Sequence, residues 1–292
     1  MQSVNASLPA LRVDGLVYRY ESAAGALLEE PALGGVDLTV RDNAYLAVVG
    51  QNGSGKTTLV KHFNGLLRPV AGRVWVYGKD TSKATVGELA RTVGYVFQNP
   101  DHQIFCATTG EEVAFGPRNL GLDAAEVEER VADALSAFDL TEYADVPPAV
   151  LGYGLRRKVS VAAVYAMRPR VLILDEPTAG LDRRSADDLM RRMDALHAAG
   201  HTIVLVSHDM RLVAEHSHET LVMHEGRVLA YGETRAVLSR TNELARASIT
   251  PPQVTRLAQK LAGAGTDVLT VVEFADLYDR LLAGRRSGEG RP

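Results

Sequence analysis

The chain has 292 residues, of which 46% are hydrophobic and 23% are charged, and its formal net charge is −4. These proportions are ordinary for a soluble globular protein and give room for one large or two small domains. The net charge gives no argument for binding to nucleic acid or to an acidic membrane surface.

The bulk features also exclude several structural classes. A single cysteine, Cys106, cannot form an internal disulfide and fits a reducing compartment. The sequence has no stretch of about 18 uncharged apolar residues, so we expect no membrane-spanning helix. Residues 1–9 lack a basic region followed by an apolar one, so we expect no signal peptide.

The first hundred residues alternate predicted strands with loops and one helix. The predicted strands cover residues 11–20, 36–41, 44–49, 73–78 and 93–97. A loop rich in Gly, Ala, Glu and Pro separates the first two strands, and a helix is predicted over residues 58–63. Between the third strand and this helix lies the sequence GQNGSGKT, residues 50–57.

Strand character is lost between about residues 101 and 168, which we interpret as a helical insert. Asp123 and Glu126 have the spacing of a helix start. Apolar residues follow at helical spacing, which predicts an amphipathic helix with one buried stripe. Residues 155–167 predict a second helix with a basic face.

Alternation of strands and helices resumes after the insert. Residues 171–174 and 202–206 are apolar enough for buried parallel strands, with a helix at residues 182–199 between them. Residues 219–223 and 227–231 flank a hairpin turn. The predicted fold is therefore an α/β parallel sheet with helices on both faces and antiparallel segments at its two ends.

The last part of the chain has a different character. Residues 240–283 predict a C-terminal helical extension, with one helix opening at Pro251 and another whose start carries a Thr270–Glu273 capping box. Residues 284–292 are polar and rich in glycine, which predicts a disordered tail.

The sequence at residues 50–57 fits the phosphate-binding P-loop pattern, in the strand–loop–helix context that the pattern requires. Backbone N–H groups of such a loop point at phosphate, and the helix N-terminus adds its positive dipole end. We expect Lys56 to bridge the β- and γ-phosphates and the Thr57 hydroxyl to be a Mg²⁺ ligand. The predicted nucleotide-binding residues of this loop are Asn52, Gly53, Ser54, Gly55, Lys56, Thr57 and Thr58.

Polar side chains follow three other predicted strands. Asp175 ends one strand and can hold Mg²⁺, and Glu176 can polarise the water that attacks the γ-phosphate. Gln98 ends another strand and can contact Mg²⁺ or that water, and His208 can contact the γ-phosphate. Because the carboxyl ends of parallel strands meet at one edge of the sheet, we expect these residues to converge there.

These motifs together resemble the ATP-binding subunit of an ABC transporter, in order and spacing, over residues 11–239. Residues 50–57 match Walker A, residues 171–176 match Walker B with its catalytic glutamate, Gln98 matches the Q-loop and His208 the switch histidine. The resemblance implies a P-loop NTPase fold that binds ATP and Mg²⁺. It also implies that Tyr20 stacks on adenine and that residues 179–182 form the D-loop.

A narrower resemblance is to the energy-coupling factor (ECF) and cobalt-type ATPases. The sequence is similar to theirs over residues 97–105, 111–119 and the C-terminal extension. This resemblance implies a pair of ATPases on the cytoplasmic face of the membrane, a transmembrane coupling protein and a membrane protein that captures a vitamin or metal ion. It further implies that residues 98–118 contact the coupling protein.

The family's signature, Leu-Ser-Gly-Gly-Gln, is altered. The aligned residues are Leu151, Gly152, Tyr153, Gly154 and Leu155. In the family this segment binds the γ-phosphate held by the other subunit of a head-to-tail dimer. Gly152 offers no hydroxyl, and Tyr153 adds bulk where the backbone must approach closely. We therefore expect a heterodimer, in which a different ATPase supplies an intact signature, rather than a homodimer.

Two alternatives come from other functional classes. One is a soluble ABC ATPase that acts on nucleic acid or ribosomes, against which stand the single nucleotide-binding domain and the lack of a basic stripe. The other is a nucleotide-dependent adaptor that does not hydrolyse ATP, which the altered signature suggests and Asp175, Glu176 and His208 argue against. The sequence does not identify the transported substrate.

Overall fold

The computed structural model describes residues 8–21, 25–263 and 266–288. Its strands form two sheets. In chain order they are β1 (Leu11–Tyr18), β2 (Leu33–Val40), β3 (Tyr45–Gly50), β4 (Ala71–Val76), β5 (Lys79–Asp80), β6 (Val93–Val96), β7 (Val171–Asp175), β8 (Thr202–Val206), β9 (Glu219–His224) and β10 (Arg227–Glu233).

The core sheet has six strands in the order β10-β9-β3-β8-β7-β6. Neighbours from β9 to β6 are parallel, and β10 adds an antiparallel edge. The predicted hairpin is confirmed, since Glu225 and Gly226 both have positive φ at its turn. The carboxyl ends of β3, β6, β7 and β8 share one edge of this sheet, where the P-loop, Gln98, Asp175, Glu176 and His208 lie.

The N-terminal strands do not extend the core sheet, contrary to the expectation of antiparallel segments at both of its ends. They form a separate four-stranded sheet in the order β2-β1-β4-β5. β1 is antiparallel to both β2 and β4, and buried side chains at Leu11 and Val13 alternate with exposed or partly exposed ones. Val13 and Leu16 belong to the same apolar core as Leu46 of β3.

Eleven helices are described. They are α1 (Lys56–Phe63), α2 (Val86–Ala90), α3 (Thr109–Asn119), α4 (Ala124–Ala137), α5 (Tyr153–Tyr165), α6 (Arg183–Ala198), α7 (Met210–His216), α8 (Thr234–Leu238), α9 (Thr241–Arg246), α10 (Gln253–Ala262) and α11 (Val271–Gly288).

The two faces of the core sheet have different partners. Val171 and Ile173 of β7 pack in the core that contains α1 and the second sheet. Leu172 and Leu174 point the other way, into a core with α5 and α6. All four side chains are almost completely buried, which explains why β7 is apolar throughout.

The described segment between β6 and β7 contains helices α3 to α5 and short 3₁₀ turns. The predicted helix start is confirmed, because the Asp123 carboxylate accepts a hydrogen bond from the backbone N–H of Glu126 at 2.9 Å. The buried Phe138 and Leu140 at the end of α4 anchor this segment in the core shared with α5 and α6.

Helices α9 to α11 follow the core sheet. The predicted capping box is present, since the backbone N–H of Glu273 donates to Thr270 and its carboxylate accepts from the backbone N–H of Thr270. Residues 284–288, expected to be disordered, instead continue α11. The helix continues although two of these five residues are glycines, which are weak helix formers. Residues 289–292 lie outside the described part of the chain.

Candidate nucleotide-binding site

The P-loop joins the end of β3 to the start of α1. Gly53 and Gly55 have φ values of 80° and 97°, in the left-handed region that favours glycine. A Cβ on Gly55 would also lie 2.8 Å from the carbonyl oxygen of Ala32. The conformation of the loop therefore favours glycine at both positions, and packing adds a second requirement at Gly55.

The Lys56 ammonium lies inside this loop and is almost completely buried. Its Nζ donates hydrogen bonds to the carbonyl oxygens of Gly50 at 2.8 Å and Gln51 at 2.7 Å. Burial lowers the pKa of Lys56, and the nearby carboxylates of Glu176 and Asp175 partly offset this effect. Because the Lys56 ammonium is already held inside the P-loop, it can bind an anion there without a large movement of its side chain.

Ser54 provides a separate test of whether the loop fits a phosphate. Its side chain is 4% exposed, and its Oγ has no hydrogen-bond partner among the described residues. An unpaired buried hydroxyl costs about 1–3 kcal/mol, so such groups call for a ligand or water. Ser54 is nevertheless absent from the described lining of the cavity that Lys56 and Thr57 border, so the structure does not bring this predicted phosphate-binding side chain to the cavity surface.

Thr57 and Asp175 meet at the start of α1. The Thr57 hydroxyl donates to Asp175 Oδ2 at 3.0 Å, and the Tyr95 hydroxyl donates to the same oxygen at 2.7 Å. Burial, and then the Asp175 charge, raise the pKa of Tyr95, which keeps its hydroxyl a donor. Tyr95 thus orients the carboxylate, a role that the sequence prediction missed because Tyr95 was interpreted as a strand residue.

The hydroxyl and carboxylate oxygens of Thr57 and Asp175 are the hard ligands that Mg²⁺ prefers. Among the described residues no three His, Cys, Asp or Glu side chains form a metal cluster. A site with one or two protein ligands, completed by phosphate oxygens and water, is the usual arrangement for Mg²⁺. The donor set therefore fits this ion.

Glu176 and His208 form a hydrogen-bonded pair at the ends of the adjacent strands β7 and β8. Glu176 Oε2 lies 2.8 Å from His208 Nδ1. Glu176 is 8% exposed and has a φ of 48°, a conformation that costs a non-glycine residue energy, whereas the His208 side chain is exposed. The strained turn aims the carboxylate into the same cavity that His208 borders.

One cavity of about 1030 Å³ collects most of the predicted nucleotide and catalytic residues. Its lining includes Tyr20, Asn52, Gly53, Gly55, Lys56, Thr57, Thr58, Gln98, Asp175, Glu176 and His208. Sequence analysis missed Ala32, Met210 and the three consecutive residues Ser248, Ile249 and Thr250, which also line it. No local motif marks these residues, because they reach the cavity through long-range packing.

Tyr20 and Gln98 border the cavity from opposite parts of the chain. The Tyr20 hydroxyl lies 2.9 Å from the hydroxyl of Thr58, and its ring makes an edge contact with Tyr18. Gln98 is exposed two residues after the end of β6. Its backbone carbonyl accepts a hydrogen bond from Arg157, which is fully buried on α5. Arg157 therefore ties α5 to the strand end that carries Gln98.

The altered signature segment lies apart from this cavity, and none of its five residues belongs to the described lining. Gly152 is the N-cap of α5, with φ −63° and ψ 156°. A Cβ at this position would meet no atom within 4 Å. The ring of Tyr153 lies against Gly180, where a Cβ would be 3.0 Å from it. A serine would therefore fit at position 152 without rearrangement.

An exposed aromatic pair lies close to Gln98 in the sequence. Phe105 is 65% exposed and Phe115 is 43% exposed, and their ring centroids are 4.7 Å apart in an edge contact. We call these two residues the Phe105–Phe115 pair. Searched over the described residues, the helices include none that is both long and apolar enough to cross a membrane.

Comparison with known proteins gives consistent results. The sequence model of the ABC transporter family matches residues 33–179. An energy-coupling factor transporter ATP-binding protein from Symbiobacterium thermophilum is 45% identical over 268 residues, which cover 89% of this chain and 93% of that relative. A putative ABC transporter ATP-binding protein from Caldanaerobacter subterraneus subsp. tengcongensis is also 45% identical, but the match spans only 43% of that protein's length.

Solved structures agree with these relatives. The structure of cbiO1 from Clostridium perfringens, part of the ABC transporter complex cbiONQ, is similar with a TM-score of 0.72 and 33% identity. The match covers 86% of this chain and 99% of cbiO1. A nucleotide-free ATP-binding cassette from an ABC transporter matches with a TM-score of 0.70 and 25% identity, over 83% of this chain and 99% of the cassette.

Proposed function

The chain belongs to the ABC transporter family, among the energy-coupling factor ATP-binding proteins, and we propose that it hydrolyses ATP to drive uptake of a vitamin or transition-metal ion. Membrane partners would carry the substrate, and this chain would lie on the cytoplasmic face of the cell membrane. The observation that carries the proposal is the convergence of Lys56, the Thr57–Asp175 pair and the Glu176–His208 pair on one cavity.

Binding of the nucleotide would use groups that are already in place. The N–H groups of the P-loop and the Lys56 ammonium would bind the phosphates. Lys56 would exchange its two carbonyl acceptors for phosphate oxygens. Thr57, Asp175 and Gln98 would hold Mg²⁺, which neutralises charge on the phosphates.

Hydrolysis needs a base beside the γ-phosphate. Glu176 would accept the proton of the attacking water, and its bond to His208 Nδ1 holds the carboxylate in the cavity. His208 is exposed and would use its other ring nitrogen to contact the γ-phosphate. Tyr20 would leave its contact with Thr58 and stack on adenine, which frees the Thr58 hydroxyl for the phosphates.

The altered signature supports a heterodimer. The N-terminus of α5 lacks a side-chain cap, so its backbone N–H groups remain available to an anion, but no serine hydroxyl accompanies them. The partner's nucleotide site, which this altered segment would complete, would hydrolyse ATP weakly. The site at this chain's own P-loop would hydrolyse ATP when a second ATPase supplies an intact signature. A homodimer would place the altered signature at both sites.

The Phe105–Phe115 pair supports contact with a membrane partner. Two large exposed aromatic rings in the part of the chain that follows Gln98 offer an apolar anchor of the kind enriched in interfaces. Because Arg157 holds the Gln98 backbone, a helix of the transmembrane coupling protein seated there could act on the strand end that carries Gln98.

The first experiment is ATP hydrolysis by the purified chain, with Glu176→Gln as the matched blank. If turnover needs a second ATPase, the chain alone should bind MgATP without Glu176-dependent hydrolysis, and co-purification from membranes should yield the partner. Glu176-dependent ATP hydrolysis by the chain alone would contradict the proposal that a heterodimer is needed. Failure to bind MgATP, alone and in the membrane complex, would contradict the proposed function.

A second experiment restores the signature with Gly152→Ser, Tyr153→Gly and Leu155→Gln together. We expect ATPase activity and transport by the whole complex to rise. If both stayed unchanged, the altered residues would cause no functional deficit.

A further inference from the structure

The C-terminal extension reaches the nucleotide cavity. Ser248, Ile249 and Thr250 follow α9 directly and line the cavity together with His208 and Met210. Ser248 and Thr250 are exposed, and Ile249 is 9% exposed. A segment about 40 residues beyond the switch histidine thus borders the same space as the P-loop and Glu176.

The segment is held there by apolar packing. Ile249 belongs to a buried cluster that includes Ala47 and Val49 of β3, the strand that leads into the P-loop. The same cluster includes Met210, which lies two residues after His208. The extension is therefore fixed against β3 and Met210 at the border of the cavity.

The end of α9 has the hydrogen bonds of a Schellman motif. The N–H of Ile249 donates to the carbonyl oxygen of Leu244 at 2.9 Å, and the N–H of Ser248 donates to that of Ala245 at 3.0 Å. Ile249 and Leu244 also share the buried cluster, which is the apolar contact that accompanies this motif.

Ser248 is an unfavourable residue for its position. The motif places it in the left-handed region with a φ of 50°, where glycine is strongly preferred. Among the described residues, neither the Ser248 nor the Thr250 hydroxyl makes a hydrogen bond that would compensate. A strained residue with a free hydroxyl at the border of a ligand cavity points to a role in binding.

We propose that residues 248–250 form a wall of the nucleotide site, in which the Ser248 and Thr250 hydroxyls bind the terminal phosphate of ATP. This inference rests on the proposed function, since it takes ATP as the ligand of the cavity. Hydroxyls are neutral donors that suit phosphate oxygens, and Ile249 between them packs in the same cluster as Met210, two residues after His208. The extension would thereby contribute to the preference for ATP over ADP.

The test measures binding rather than turnover. Affinities for MgATP and MgADP are measured by fluorescent-nucleotide displacement on the full chain carrying Glu176→Gln, which prevents hydrolysis. The variant is Ser248→Gly with Thr250→Val, and the matched control is Ser136→Ala with Thr141→Val, two exposed hydroxyls of the helical segment outside the described lining of the cavity.

We expect the 248/250 variant to bind MgATP about tenfold more weakly, which corresponds to about 1.4 kcal/mol, and to bind MgADP within twofold of its parent. Ser248→Gly alone should raise the thermal unfolding midpoint while it weakens MgATP binding, a combination that a merely structural role would not produce. The control should leave both affinities unchanged.

Three outcomes would overturn the inference. MgATP affinity within twofold of the parent would mean that the hydroxyls do not bind the nucleotide. An equal loss for MgATP and MgADP would remove the terminal phosphate as their target. A parent chain that binds neither nucleotide, alone or in its membrane complex, would overturn the proposed function as well.

Discussion

The hydroxyl of Tyr95 should matter for both stability and metal affinity. The hydroxyl donates a hydrogen bond to Asp175 Oδ2 on the neighbouring strand at 2.7 Å, and both residues are buried. A hydrogen bond to a charged group contributes about 1.5–3 kcal/mol, so Tyr95→Phe should lower the free energy of unfolding by about that amount. Removal of a partner that orients a metal ligand typically weakens metal affinity 10–100-fold.

Tyr45 offers a matched control, because it is also a buried tyrosine on a core strand. Its hydroxyl has no hydrogen-bond partner among the described residues, and its side chain is 1% exposed. Tyr45→Phe removes an unsatisfied polar atom, so the free energy of unfolding should stay the same or rise by about 1 kcal/mol. The two variants change the same atom and differ in whether that atom is bonded.

The assay is urea unfolding of both variants, with and without MgATP, together with titration of Mg²⁺ in an ATP-binding measurement. We expect only Tyr95→Phe to shift the Mg²⁺ dependence to higher concentration. Equal stability effects in the two variants would refute the argument from the Tyr95–Asp175 bond. A normal Mg²⁺ dependence in Tyr95→Phe would refute the positioning role.

Three further predictions concern buried groups elsewhere. Burial lowers the pKa of His62 below its ordinary value of 6.5. The unfolded chain therefore binds the additional proton first, and the free energy of unfolding should fall as the pH drops from about 6.5 to the lowered folded pKa. His62→Gln should flatten this dependence in urea unfolding measured across pH; an unchanged slope would contradict it. Burial, with the Glu112 carboxylate, raises the pKa of Cys106 to about 11. Alkylation at pH 8 should then be about 100-fold slower than for a peptide thiol and become normal in urea; fast alkylation of the folded chain would contradict this. A Cβ on Gly94 would lie 2.4 Å from Val164 Cγ1. Gly94→Ala should therefore lower the free energy of unfolding in urea by about 1–3 kcal/mol. Gly87→Ala, where a Cβ would meet nothing within 4 Å, should not lower it, and equal losses in the two variants would contradict the argument.

The sequence was sufficient to predict that these strand-end residues converge, because its motifs are local and the topology is regular. Gln98, Asp175 and His208 each follow an apolar strand, and parallel strands bring such positions to one edge. The separation of the N-terminal strands into a second sheet could not be predicted in this way. Alternation in β1 shows that one face is buried, but it does not specify that both β2 and β4 pair with it.

Contacts between distant parts of the chain were also beyond the sequence pattern. Tyr95 lies within a strand whose apolar neighbours gave no sign that its hydroxyl reaches Asp175. Residues 248–250 have no motif, and they reach the cavity only because Ile249 packs with β3 and Met210. Such residues depend on which buried surfaces meet, a property of the folded chain that periodicity does not encode.

The geometry separates this chain's own site from the site that its signature would complete. Gly152 contacts nothing that a Cβ would disturb, so changes there need not alter the cavity at all. Tyr153 differs, because its hydroxyl lies 3.5 Å from Nη2 of Arg157, which also holds the Gln98 carbonyl. One buried arginine therefore lies between the Tyr153 hydroxyl and the backbone of Gln98. In the proposed heterodimer, a tyrosine at this position would change the surface offered to the partner's nucleotide, and its hydroxyl also lies near the arginine that holds the Gln98 carbonyl.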